Sequence, residues 1–410
     1  MPNTFNFSSW VAMNSLRLMT NKLVVAEMFN SDFNKEFRRE FAVGQTVTIP
    51  LPQWFEVNSG FGYTPQALDR PSTTISINQP ANVHFEVPTP DAELFLERGA
   101  AKFRSLYLDS ASATLAQHYD KAAAEWAFYN TPNIVGVLGT NPTSPSILGS
   151  ARTRLIQLSG WDDPVKRAIL PPSAMQSIVD NSTTIFNPPD EITKQWKSGA
   201  MGQTRGFDCF DSMSLVYHTA GTWGGAVVVY GSNQTGTSLV ITATAGDTFK
   251  RGDRINIANV YEVNPRTLQS TGVLKQFVVQ ADVTAVGGAG GDTLSLLPAI
   301  VGPGSHYQNV SALPQNGAAL TLWPGTTTPN GKAGYCGIAL TKKAFGIASA
   351  SLEVPDGGSH QQDPTSGIDI AYSTEWDTIL GRRKVHRLDS MYGFGNLYFD
   401  HCAVVIACGV

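Results

Sequence analysis

The sequence predicts an α+β protein carrying an inserted all-β module, and three observations lead to that class. Leu108, Ala111, Leu115, Tyr119, Ala122 and Trp126 recur at steps of three and four, the stripe of a helix packed along one face. Between 223 and 322 six short strand-like segments follow one another, separated by Gly-rich turns, which is the spacing of a small barrel or sandwich. Beyond Gly334 the chain returns to the longer alternating strands of its first half. The pivot is 206–260, which opens on Gly206-Phe207-Asp208 and ends in Phe249-Lys250-Arg251-Gly252-Asp253-Arg254-Ile255.

A chain of 410 residues exceeds what one hydrophobic core usually holds, so two or three domains are expected. Only 15% of the residues are charged although 42% are hydrophobic, the composition of a protein that packs against copies of itself or of a β-rich extracellular protein. A net charge of -4 argues against sequence-read nucleic acid as the primary partner. Residues 1–7 show neither a basic region nor an apolar core, so no signal peptide is expected, and no apolar run suggests a membrane span. The four cysteines, Cys209, Cys336, Cys402 and Cys408, are too scattered for a disulfide framework and read as buried thiols.

Taken in order, 8–41 has a helical pattern through Val11, Leu16, Met19, Leu23, Ala26 and Phe29, extended by Phe33 and Phe37, and reads as an arm ending at Gly44. Residues 45–57 and 72–87 alternate as two strands of an extended hairpin with a polar tip at 58–71. Such a hairpin is marginal alone and has to lie on another surface. Thr89-Pro90-Asp91 is a helix start, and the run to Asn130 is divided or kinked at Gly99. Mixed α/β material follows, with helices at 150–159, 172–181 and 187–198 and a strand at 168–170. The inserted strands fall at 226–230, 238–244, 254–260, 273–279, 293–297 and 318–322. The last set falls at 335–340, 345–354, 368–376, 382–387 and 402–406. These readings divide the chain into an arm (1–43), an extended loop (44–90), a spine helix with a peripheral domain (91–132), an axial domain (133–222), the β-barrel insertion (223–330) and a return to the axial and peripheral domains (331–410).

Little of the sequence carries catalytic chemistry. The stretch from Gly325 to Lys332 departs from a phosphate loop in glycine spacing, holds Pro329, and has Ala333 where a metal-binding hydroxyl belongs. The seven histidines form no metal-ligand pair, and Asp-rich metal loops are missing, so no metal, cofactor or catalytic residue is assigned. Asp400, His401 and Cys402 keep a hydrolase open as an alternative, although no nucleophile elbow accompanies them. The one basic cluster, 382–387, reads as a strand presenting an inter-subunit salt-bridge face, with contact to DNA phosphates as the other reading.

Three short stretches resemble a known family: 203–208, 242–257 with its Phe-Lys-Arg-Gly-Asp-Arg-Ile core, and 388–409 with Leu-Asp-Ser-Met-Tyr-Gly-Phe-Gly-Asn. Together with the order of parts they resemble the major capsid proteins of tailed bacteriophages, in particular the Salmonella podovirus-type coat proteins with an inserted β-barrel. The short loop 231–238 departs from relatives with a longer inter-capsomer loop. The resemblance implies the tailed-phage major capsid fold and assembly of the chain with itself, as pentamers and hexamers, into an icosahedral shell. It further implies a scaffolding protein, a portal protein, packaged double-stranded DNA on the inner surface, a decoration protein as an additional partner, and maturation of a procapsid by expansion in the host cytoplasm. Arg38, Arg39, Trp54, Phe61, Tyr63, Arg70, Arg382, Arg383 and Lys384 are the subunit-interface candidates. Lys250, Arg251, Gly252 and Asp253 form the structural turn of the insertion, and Gly99 is the expansion hinge. A tail or decoration protein is the alternative within the virion, and an encapsulin is the relative that usually lacks the insertion.

Overall fold

The structure is a computed structural model. It describes residues 7–32, 46–51, 53–55, 68, 71–88, 103–182, 201–305, 307–355, 358–363, 366–377 and 383–410. The chain forms two units, one from Met1–Leu51, Ser72–Ala123 and Phe345–Leu397, the other from Pro52–Pro71, Ala124–Ala344 and Tyr398–Val410.

The first unit is built on a five-stranded antiparallel sheet. Its centre is β21 (Arg383–Asn396), which pairs with β3 (Gln79–Pro88), β18 (Phe345–Ala350) and β20 (Asp369–Asp377), and β20 carries β19 (Ser359–Gln362) on its other side. The sequence reads 72–87 as one strand, but the structure divides it. β2 (Ser72–Ser76) pairs with β1 (Thr46–Pro50), and only β3 joins the sheet, in a ladder running from Arg383↔Pro88 to Tyr392↔Gln79. Among the described residues the expected hairpin shows a five-residue ladder, and its tip at 58–71, apart from residues 68 and 71, lies outside the described residues. β2 lies so close to β21 that a side chain at Gly393 or Gly395 would run into Ser76 or Ile75, which gives the Tyr-Gly-Phe-Gly-Asn run a packing reason.

The N-terminal helix also differs from its sequence reading. α1 (Phe7–Thr20) stops, and a 3-10 turn follows at Ala26–Met28. The turn is fixed by buried Asp120, whose carboxylate accepts the backbone N–H groups of Val24, Val25 and Ala26 at 2.9–3.0 Å. A 3-10 turn repeats every three residues, so Leu23, Ala26 and Phe29 keep a helix-like spacing through a region that is not α-helical. All three are buried within the unit, as are Val11, Leu16 and Met19, so this apolar face is covered by the chain's own sheet.

The long helix begins, among the described residues, with Phe103 and a π turn at Arg104–Leu108, and continues as α2 (Asp109–Asn130). Its residues up to Ala123 belong to the first unit and the rest to the second. The buried stripe follows the expected positions to Tyr119 and then moves to Ala123, Ala124, Ala127 and Phe128; Ala122 and Trp126 are only half-buried. Gly99, the hinge candidate, lies outside the described residues.

In the second unit a seven-stranded sheet runs β4 (Ile134–Gly136), β22 (Ala403–Ala407), β17 (Ala333–Thr341), β5 (Lys166–Leu170), β7 (Phe207–Asp211), β6 (Gln203–Thr204), with β8 (Val216–Thr219) on the opening residues of β17. Helices α3 (Ser146–Gln157) and α4 (Pro172–Ser182) share its core through Leu148, Leu155 and Ile178, packed with Phe207, Val404 and Ile406. The helix expected at 187–198 lies outside the described residues.

The second core of this unit belongs to a barrel. Its antiparallel strands run β16 (Leu320–Leu322), β12 (Arg254–Val263), β13 (Ser270–Val279), β15 (Gly288–Ile300), β10 (Gly236–Ala243), β9 (Val228–Val229). The ends meet: Val228 bridges Ala319, Leu320 N–H donates to Val227 O and Val229 N–H to Ala318 O, both at 2.9 Å. Closure removes the exposed edges that an open sheet of this size would present. A small ladder of β11 (Thr248–Phe249) and β14 (Val283–Thr284) flanks the barrel, and Trp223, Phe249, Ile255, Phe277 and Leu294 belong to its core.

Candidate functional site: the seat of the barrel

Strands β12 and β13 attach the barrel to the sheet, and they do so through charged side chains. Arg154 of α3 donates to Glu262 of β12 at 2.6 Å, and Lys275 of β13 donates to the same carboxylate at 3.1 Å. All three are buried, at 6%, 0% and 1% exposure, a degree of burial such groups show only when paired. Arg154 also donates to Asn133 Oδ1 and Gln276 Oε1, both at 3.2 Å. Gln276 in turn pairs with both backbone groups of Ile134, accepting from its N–H at 2.8 Å and donating to its carbonyl at 3.1 Å. A barrel strand thus reads the backbone of the first strand of the sheet.

A second set of contacts surrounds the end of α2. Arg254 donates to the carbonyls of Phe128, Thr131 and Gly252, and its guanidinium lies 4.1 Å from the centre of the Phe128 ring. The last turn of a helix presents unpaired carbonyls and the negative end of its dipole, so a buried cation fits here. Burial nonetheless pulls the Arg254 pKa down to about 10, which leaves it charged at neutral pH.

The turn 250–253 sits in the same place. Asp253 lies 2.9 Å from His218 of β8 and accepts the N–H groups of Gly221 and Lys250. Arg251 stacks over Tyr129 at 4.2 Å and donates its backbone N–H to Asp282, which, with Lys250 nearby, holds the Asp282 carboxyl below its ordinary value. Gly252 has φ +98°, and a Cβ there would stand 2.6 Å from Phe128 Cε1. Only glycine meets both conditions without strain.

The remaining candidates are scattered. Arg383 pairs with Glu86 of its own sheet at 2.9 Å, and Lys384 lies 6.0 Å from the exposed Trp376 ring. Trp54 lines a cleft in the second unit, 5.5 Å from the His401 ring. Arg38, Arg39, Phe61, Tyr63, Arg70 and Arg382 lie outside the described residues. Asp400 and His401 are 3.3 Å apart, but burial raises the Cys402 thiol to about 11 and its Sγ faces the Gly160 carbonyl. A nucleophilic cysteine needs the opposite shift. Among the described residues no His, Cys, Asp and Glu cluster is arranged to hold a metal.

Sequence reasoning missed Arg154, Glu262, Lys275 and Gln276. The signal was present: Glu262 lies between Tyr261 and Val263, and Lys275 and Gln276 between Leu274 and Phe277, where charge inside an apolar strand requires a partner.

The family model for the P22 coat protein, gene protein 5, matches residues 162–395, more than half of the chain. What the sheet and barrel define is therefore a major capsid protein of a bacteriophage. The chain belongs to the P22 coat protein family. No curated protein matches it. Among solved structures, one of Mycobacterium phage Che8 is 11% identical, with 94% of this chain and 90% of that one covered and a TM-score of 0.46. The capsid of the cyanophage P-SCSP1u is 10% identical over 94% and 88%, with a TM-score of 0.42. The CUS-3 coat protein I-domain is 24% identical over 24% of this chain and 95% of its own length, with a TM-score of 0.19.

Proposed function

We propose that this capsid protein builds the icosahedral head of a tailed double-stranded DNA phage, as pentamers and hexamers, through a scaffold-assisted procapsid that later expands. The shell forms in the host cytoplasm, takes a portal at one vertex, meets packaged DNA through its inner surface without reading sequence, and accepts a decoration protein on its outside. In this reading residues 223–330 are an insertion domain that braces the axial part of the same subunit, while the arm, the extended loop and the basic strand end at 382–384 serve contacts between subunits. Gly99 is the point where the spine helix changes its bend.

The observation that carries this reading is the buried seat. Its barrel side, with Arg254, Glu262, Lys275 and Gln276, lies in the family-matched stretch, and Glu262 meets Arg154 and Lys275 together in one pose of the barrel, which favours a rigid subunit suited to repeated placement in a lattice. Electron microscopy of the chain expressed with and without its phage's scaffolding protein tests the proposal. The expected outcome is closed shells of uniform size with the scaffold, and larger, thinner-walled shells after heating. Tubes, or soluble monomers under both conditions, would refute it.

A further inference from the structure

One flank of α3 gathers three cations. Arg205, in the turn between β6 and β7, brings its Nη1 to 4.0 Å from where a Cβ on Gly149 would stand. Arg152 follows Gly149 by one helical turn on the same side. Arg152 and Lys166 of β5 both lie over the Trp161 ring, 4.9 and 4.4 Å from its centre. Among the described residues no carboxylate pairs with any of the three. The acids beside Trp161 are engaged elsewhere: Asp162 is held by Arg266 at 3.0 Å, and Asp163 is 6% exposed and accepts the Val165 N–H. Asp208 and Arg167 alternate onto the other face of the sheet, because Ala168, Phe207 and Cys209 point into the core that α3 covers. The flank is therefore net positive.

The backbone shows that Arg205 is not placed there at random. Arg205 and Gly206 form the two-residue turn of the β6–β7 hairpin, with φ of +55° and +87°. Asn-Gly or Gly-Gly fills such a turn without strain, whereas an arginine stores it, and strain of this kind collects where a side chain has a task. The guanidinium also lies beside the first turn of α3, the positive end of the helix dipole, which disfavours a cation until an anion joins it. Trp161 is hemmed in by Gly206 and Phe207 as well as by the two cations, so it holds charges in place and leaves little ring surface for stacking. Arg152 and Arg154 are two residues apart, about 160° round the helix, so this flank faces away from the seat of the barrel. A polyanion with closely and regularly spaced charges meets three such cations at once, and a nucleic-acid backbone, with a phosphate about every 3.4 Å of rise on each strand, has that form.

We propose that Arg152, Lys166 and Arg205 form a binding site for the phosphate backbone of double-stranded DNA, without regard to sequence. The proposal rests on the reading above that the shell encloses DNA, and it names residues that meet it.

Anisotropy of a short fluorescent duplex mixed with the purified chain tests it. Each neutralised phosphate contact should lower the slope of log affinity against log salt by about 0.9, so Arg152→Gln, Lys166→Gln and Arg205→Gln together should remove roughly three times that. Arg167→Gln, on the other face of the sheet, should bind as the native chain does. Arg205→Asn separates a binding role from a structural one. It should melt no lower than the native chain, because Asn-Gly suits the turn, yet bind the duplex several-fold more weakly with the slope reduced by one contact. Should the triple variant fold poorly, Arg152→Gln and Arg205→Asn must each show that single-contact loss. A native chain that ignores the duplex at low salt, a variant with native affinity and slope, or an Arg205→Asn chain that melts lower would overturn the proposal. Equal binding of polyglutamate would also overturn it and give the flank to an acidic protein segment. Shell yield is read on the same variants. Normal shells from a variant that has lost the duplex support a DNA site separate from assembly, whereas loss of both together assigns the flank to subunit contact and rejects the proposal. Duplex binding of the expected slope by a native chain that forms no shells keeps the site and rejects the shell-forming reading.

Discussion

The N-terminal stretch of the first unit and the barrel of the second are both laid onto a sheet of their own unit, and they are held by different means. In the first, Asp120 collects three backbone N–H groups, Asn30 exchanges backbone hydrogen bonds with Phe345 and Ile347, and an apolar face packs beside them. In the second, Arg154, Glu262, Lys275 and Arg254 are whole charges taken out of water. A carboxylate on backbone amides asks only that the chain turn at that point. A buried carboxylate that takes Arg154 and Lys275 together is paired in a single register, and any slip parts it from those cations. The barrel is therefore fixed in position, whereas the N-terminal stretch is fixed mainly in path.

The largest effect should come from the turn inside the seat. Gly252→Val combines a left-handed backbone with a clash against Phe128, and those two costs sum to about 4 kcal/mol. Expression should yield aggregated chain, scored as soluble fraction and shell yield against the native protein; a soluble, assembling variant would disprove the claim. Next comes Glu262→Gln, which removes the counter-charge of Lys275 and Arg154 and should destabilise the second unit by about 3 kcal/mol or more in urea unfolding. Replacing the set together, as Arg154→Met, Glu262→Met and Lys275→Leu, should recover most of that loss. If the triple variant is as unstable as the single one, the seat depends on shape and not on charge pairing.

This contrast also explains what the sequence disclosed. Barrel strands and the stripe to Tyr119 were legible because alternation and helical spacing are local, and Gly252 stood out because its turn is. The seat was not, because Arg154 and Glu262 are 108 residues apart and nothing near either names the other. The 3-10 turn after α1 escaped because its three-residue repeat preserves the apolar spacing of a helix, while the residue that bends the chain, Asp120, is 94–96 residues away. The division of 72–87 was hidden for a related reason: β2 and β3 read as one strand, and the close approach of β2 to Gly393 and Gly395 lies more than 300 residues away in the chain.

Asp120→Ala should cost less than the charge variant, about 2 kcal/mol, because the three amides can take up water once the turn loosens. Hydrogen exchange should rise at Val24, Val25 and Ala26 while the barrel amides stay protected; equal loosening of both would contradict the comparison.

His386 tests the first unit by pH. It stacks on Phe85, its Nδ1 shares a 2.6 Å hydrogen bond with the Tyr372 hydroxyl, and burial with Lys384 nearby lowers its pKa to about 4. The unfolded chain therefore binds this proton more readily, and the stabilisation present above about pH 6.5 is lost progressively as pH falls toward 4. Between pH 7 and 5 the loss should be about 2 kcal/mol in the urea stability of the first unit, and His386→Phe should flatten that dependence. An unchanged slope in the variant would assign the titration elsewhere.

The smallest effect on stability belongs to Arg383, and it separates holding a fold from joining subunits. Arg383 and Glu86 are 49% and 45% exposed, so solvent screens their 2.9 Å pair, and Arg383→Gln should change subunit stability by less than about 1 kcal/mol. If the basic end of β21 serves a neighbouring subunit, the same substitution should still lower shell yield several-fold, and raised salt should lower the native yield in the same direction. A variant with native stability and native shell yield would place Arg383 with the ordinary surface charges of the sheet.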